Sequence, residues 1–218
     1  MYAPLAKAII TFDQDVMDAV SKGLFQSGPI TAKEAAKLAG NFSTPENDHL
    51  YKTLIEAYTF WIENEEPYPT KGGTVPDSPR EELLTILLDM KKPSDNDLMG
   101  FLSDPRRDVR DVAEKYLVTR IDEDTSLREK LISATSEEII DPIYLSKTIK
   151  NNTAFSPLQV DSICEMINHE NSKVKYAAFN ILHTNHVSNE MLRKWLKVAM
   201  KDGNDEIRES AVLLESRL

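Results

Sequence analysis

The chain has 218 residues, of which 41% are apolar and 28% charged, and its formal net charge is −10. That length supports one solid core with room for a short extension, and the surplus of carboxylates works against bulk attraction to phosphate backbones or anionic lipid. A single cysteine, Cys164, excludes an intrachain disulfide and fits a reducing compartment such as the cytoplasm.

No apolar run approaches the length needed to span a membrane. Met1 to Ile10 lacks the continuous apolar core and cleavage-like site of a signal peptide, so none is expected. The charge is uneven: residues 1–97 hold 9 basic and 16 acidic side chains, against 17 and 20 in residues 98–218.

Only 7 glycines are present, which suits helices with short connections better than a turn-rich sandwich. Helical periodicity predicts helices near 4–22, 31–39, 45–64, 79–91, 95–102, 105–119, 126–134, 142–151, 157–168, 172–184, 188–201 and 204–218. Five prolines follow a capping residue: Thr44-Pro45, Ser78-Pro79, Asp104-Pro105, Asp141-Pro142 and Ser156-Pro157. The polar side chain accepts from a free N–H of the first turn, and proline takes a position whose N–H would otherwise be orphaned. Ser78 with Glu81, Ser156 with Gln159, and Thr31 with Glu34 extend this to capping boxes. Residues 65–78, with Pro67, Pro69, Gly72, Gly73 and Pro76, read as an exposed loop or linker.

The strongest pattern is internal. From Leu98, the residues Phe101, Leu102, Asp104, Val109, Arg110, Ala113 and Tyr116 recur at identical offsets from Ile163 as Met166, Ile167, His169, Val174, Lys175, Ala178 and Ile181. They recur again from Leu196 as Ala199, Met200, Asp202, Ile207, Arg208, Ala211 and Leu214. The second copy starts 65 residues after the first and the third 33 after the second, which leaves room for one degenerate copy. Each copy reads as a short helix, a capped turn and a second helix whose central Ala allows close approach. One such hairpin cannot bury both faces alone, so stacked copies must share a core.

Val109-Arg110-x-x-Ala113, Val174-Lys175-x-x-Ala178 and Ile207-Arg208-x-x-Ala211 resemble the second helix of HEAT repeats. The resemblance covers residues 95–218. It implies an all-α fold, an α-α superhelix of HEAT-like helical hairpins, and in most relatives a protein-binding scaffold. The expected layout is an N-terminal helical cap over 1–66, an exposed loop over 67–78 and repeats over 79–218, all of which can form one continuous domain.

Arg110, Lys175 and Arg208 recur on the flank of the buried face. They read first as a structural ladder to adjacent repeats and second as a strip for phosphate. Residues 30–39 resemble the opening of a helix-turn-helix, but Glu46 and Asp48 stand where a recognition helix would meet phosphate, so helix packing is the preferred reading. His183 and His186 make only half a metal site, and no Gly-rich phosphate loop appears. No catalytic, metal or cofactor residue is therefore assigned.

The expected function is that of a non-enzymatic scaffold or adaptor, of which an acidic inhibitor or immunity-type protein for a basic partner is one version. The alternative is a nucleic-acid-handling HEAT-like protein, DNA glycosylase-like. The partner is expected to be a protein with a basic patch, met by Glu63, Glu65, Glu66 and Tyr68 around the 65–78 loop.

Overall fold

The computed structural model describes residues 15–25, 28–65, 76–91, 93–149, 153–185 and 190–217. Among them the chain is all-helical, with no strand, and no helix is long and apolar enough to cross a membrane. Helix α1 covers residues 15–25. It is followed by α2 (Pro29–Gly40), α3 (Asp48–Asn64), α4 (Arg80–Met90), α5 (Asp95–Leu102), α6 (Arg107–Arg120) and α7 (Thr125–Ser136). The remaining helices are α8 (Ile143–Thr148), α9 (Pro157–Met166), α10 (Ser172–Thr184), α11 (Glu190–Ala199) and α12 (Asp205–Glu215).

Some helix starts differ from the expected ones for identifiable reasons. At Ser156 the capping box forms as expected, with Gln159 as its partner. The Thr31–Glu34 box does not form: α2 begins earlier, on Pro29 after the extended Gly28, and Glu34 pairs with Lys37 instead. Thr44-Pro45 makes a turn rather than a helix start. Asn47 N–H donates to the Thr44 carbonyl, and the Asn47 side chain then caps α3 by accepting from Leu50 N–H at 3.1 Å. Ser78 accepts from Arg80 N–H at 3.2 Å, while Glu81 and Glu82 turn to Lys33 of α2. Ser94 and Asp97 form a capping box that the sequence reading did not anticipate.

The chain divides into two compact units, Met1–Pro93 with Pro105–Val112, and Ser94–Asp104 with Ala113–Leu218. In the first, α4 packs on both α2 and α3 around Leu50, Leu54, Leu83 and Leu84, all fully buried. Helix α4 therefore belongs with the N-terminal helices, although its sequence was grouped with the repeats. Gly23 of α1 is required by a close crossing: a Cβ there would lie 2.7 Å from the Ala35 Cβ.

In the second unit, contacts run between helices two apart. One row is α5, α7, α9 and α11; the other is α8, α10 and α12. The core is continuous from Leu98 to Leu214, and Ala178 and Ala211 have no exposed surface. The turns before α10 and α12 are built alike. His169 Nδ1 accepts from Asn171 N–H at 3.0 Å, and Asp202 Oδ1 accepts from Asn204 N–H at 2.9 Å. Asn171 and Asn204 in turn cap their helices through Lys173 N–H and Glu206 N–H. Because Ala178 sits at a closed crossing, Ala178→Leu is expected to cost about 1–3 kcal/mol through overpacking. A urea midpoint equal to the parent's would show that the crossing has spare room.

Candidate functional site

Helices α7 and α9 are locked side by side by one buried amide. Gln159 Oε1 accepts from Ser156 N–H at 3.0 Å, and Gln159 Nε2 donates to the Thr125 carbonyl at 3.2 Å. The start of α9 is thereby tied to the first turn of α7, whose own cap is Asp124 accepting from Leu127 N–H. Between the two helices lies a groove of about 360 Å³, lined by Glu129, Ile132, Ser133, Ser136, Glu137, Leu158, Gln159, Ser162 and Glu165. Its floor is the buried Ile132, and Leu158 stands at its rim with 74% of its surface exposed. Glu129, Ser133 and Glu137 follow at four-residue spacing, so they share one face of α7 and its C-terminal continuation. The Ser133 hydroxyl donates to Glu137 Oε1 at 2.5 Å.

Three carboxylates, three hydroxyls and an apolar rim face this groove, and among the described residues no cation lines it. Such a lining accepts an ammonium or guanidinium group with an aliphatic stem. Apart from Gln159, a capping-box partner, the sequence assigns these residues no role. The spacing of Glu129, Ser133 and Glu137 is a visible signal, but it is the usual pattern of any solvated helix face.

The residues singled out in the sequence fall elsewhere. Glu63 is exposed on α3. Glu65 closes α3 and is nearly buried. Its Oε1 accepts from Arg80 Nη1 at 2.6 Å, and its Oε2 lies 3.8 Å from Arg106 Nη1. Its carboxylate is thus committed inside the first unit rather than offered to solvent. Glu66 and Tyr68 lie outside the described residues, as does most of the 65–78 loop. The end of that loop is anchored: Arg106 donates to the Pro76 carbonyl through both Nη atoms, at 3.2 and 3.1 Å, and Ser78 is buried.

Arg80 and Arg106, each 2% exposed, were missed by sequence reasoning. Asp108 completes their cluster, accepting from Arg106 at 2.7 Å. Burial alone would raise the Asp108 carboxyl, but the hydrogen bond and charge of Arg106 outweigh it and hold it below the usual range.

The recurring cations do not behave alike. Lys175 pairs with Asp202 of the next hairpin. Arg110 instead donates to the Pro105 carbonyl at 2.7 Å, and Arg208 to the Asp202 carbonyl and Asp205, both within their own hairpins. Lys175 thus makes the expected rung to a neighbour. The Lys175 hydrogen bond, foremost, holds the Asp202 carboxyl below its ordinary value.

The Cys164 thiol is fully buried and pushed up to about 12 by desolvation, with Asp161 and Glu165 adding to the shift. His183 Nε2 lies 2.7 Å from Arg217, and His186 is outside the described residues. Among the described residues no group of three His, Cys, Asp or Glu side chains is placed to hold a metal ion. No protein-family model matches the chain, and comparison with curated proteins finds no match.

Proposed function

We propose that this chain is a non-enzymatic, cytoplasmic scaffold or adaptor, that its second unit is a HEAT-like superhelical stack, and that the α7–α9 groove receives a cationic segment of a partner protein. The observation that carries the reading is the groove itself, with Glu129, Glu137 and Glu165 beside the exposed Leu158 and, among the described residues, no cation in its lining. The two rows of helices and the matched turns at His169 and Asp202 support the stack. The buried Cys164 fits a reducing compartment. An inhibitor that masks a basic surface is one form of this function. The nucleic-acid reading is less well supported, because Arg110, Lys175 and Arg208 are each engaged by a carbonyl or carboxylate rather than aligned toward phosphate.

Stopped-flow binding of a fluorescein-labelled octalysine tests the groove. The triple variant Glu129→Lys/Glu137→Lys/Glu165→Lys is expected to lower the association rate by about tenfold at low salt and to change the dissociation rate less. Deletion of 67–76 is expected to leave that rate unchanged. An unaltered rate in the triple variant, with loss on deleting 67–76, would move the contact to the loop.

A further inference from the structure

The turn between α6 and α7 is wound around one guanidinium. Arg128, near the start of α7, is 7% exposed. Its Nη1 donates back to the Ile121 and Asp122 carbonyls at 3.0 and 2.7 Å, and its Nη2 donates to Thr125 Oγ1 at 3.1 Å. Its Nε is buried and has no acceptor among the described residues. In a planar guanidinium the Nε–H and one N–H of Nη2 leave by the same edge, the edge that grips an oxyanion in a two-pronged fork. Here one prong holds the Thr125 hydroxyl and the other is a buried donor with nothing to donate to, which is costly and calls for an account. Thr125 itself is exposed and is the first residue of α7, at the positive end of a 12-residue helix.

We infer that Thr125 is a phosphorylation site whose phosphate is held by the Nε–Nη2 edge of Arg128. In the modification, Thr125 Oγ attacks the terminal phosphorus of a nucleoside triphosphate carried by a protein kinase. The Oγ–P bond forms, the bond from that phosphorus to the bridging oxygen breaks, the nucleoside diphosphate leaves with the electron pair, and the hydroxyl proton passes to the kinase base. One phosphate oxygen then replaces the hydroxyl on Nη2 and a second satisfies Nε.

An esterified phosphate fits this edge better than a free one. The Thr125 oxygen already occupies Nη2, so a free anion must displace it, whereas an ester is carried there by it. Asp122, Glu123, Asp124 and Glu129 flank the site and lower the local concentration of free anions, a penalty that a covalent tether overcomes. The inference does not depend on the α7–α9 groove, because its readouts are the phosphate and Arg128 themselves and involve no bound partner.

Two full-length chains provide the test, one with phosphothreonine at 125 and one with phosphoserine at 126, each placed during synthesis. Ser126 is exposed and makes no side-chain hydrogen bond among the described residues. The two phosphates share charge, helix end and acidic neighbours, so they differ in their access to Arg128. In phosphorus NMR titrations the phosphate at 125 is expected to bind its second proton about tenfold more weakly than the one at 126. The Arg128 Nε–H signal is expected to move in the first chain and not in the second. Arg128→Lys keeps the charge without the fork and is expected to reduce the difference in titration. Should that variant fail to fold, the two phosphorylated chains carry the test alone. Mass spectrometry of the tryptic peptide 121–128, from chain isolated from its host, is expected to place phosphate on Thr125. Equal titration at the two positions, an unmoved Arg128 signal, or host phosphate on Ser126 alone or on neither residue would overturn the inference. So would movement of the Arg128 signal in the unmodified chain on adding inorganic phosphate, since the edge would then be a free-anion site.

Discussion

Glu65→Ala is expected to destabilise the chain by about 3–5 kcal/mol, because it strips a shared carboxylate from two buried guanidinium groups. Arg106 keeps Asp108 and the Pro76 carbonyl as partners, so the greater loss falls on Arg80. Arg80 retains the Tyr58 hydroxyl, a long 3.4 Å contact, and the Tyr58 ring, 5.1 Å from its guanidinium carbon. Urea unfolding measures the loss. Glu63→Ala, on the exposed side of the same helix, is expected to stay within about 0.5 kcal/mol of the parent. Adding Arg80→Met to Glu65→Leu is expected to recover part of the deficit, since two apolar side chains then replace a pair that must be desolvated. A Glu65→Ala variant with the parent's midpoint but weakened partner binding would return Glu65 to the role of a surface contact.

The second large effect concerns α7, the first helix of the α7–α8 hairpin, whose second helix lacks the repeated Val-Arg and Ala signature. Leu131 is fully buried there, and α7 packs on α5, α8 and α9. Leu131→Ala is therefore expected to cost about 2–5 kcal/mol, as a cavity in a closed core does. Leu196→Ala, in a hairpin with the full signature, is expected to fall in the same range. Thermal unfolding of the two variants compares them directly. A loss for Leu131→Ala well under about 1 kcal/mol would mean that the site collapses easily and that α7 is peripheral to the core.

Helix positions were legible because capping chemistry and periodicity act locally. Ser156 and Gln159 sit three residues apart, and their bonds need nothing from the rest of the chain. Errors arose where two local signals competed. Thr44-Pro45 looks like a helix start, yet Asn47 caps the helix and leaves the proline in the turn before it. The Ser94–Asp97 box escaped notice because its acidic partner is the shorter Asp rather than Glu.

Burial of charge was not legible at all. Glu65 reads as one of several surface carboxylates, and only the arrival of Arg80 and Arg106 from later segments makes it a core residue. The α7–α9 groove is of the same kind. Each wall looks like an ordinary polar helix face, and the site exists only through their apposition by Gln159.

In the second unit, the hydrogen bonds that join one hairpin to the next bridge similar lengths of chain. The separations are 33 residues for Lys147 to Glu114, 34 for Gln159 to Thr125, 33 for Asn171 to Glu138, 27 for Lys175 to Asp202 and 30 for Tyr176 to Glu206. Each hairpin therefore finds its neighbour by closing a loop of about the same size, and no long-range search is needed. The entropy of each closure is set by the step and not by the size of the whole, so adding a hairpin adds one more step of the same difficulty. Growth by duplication of a 33-residue segment is thus kinetically cheap for such an architecture. The matched registers of α9–α10 and α11–α12 are what such growth would leave behind.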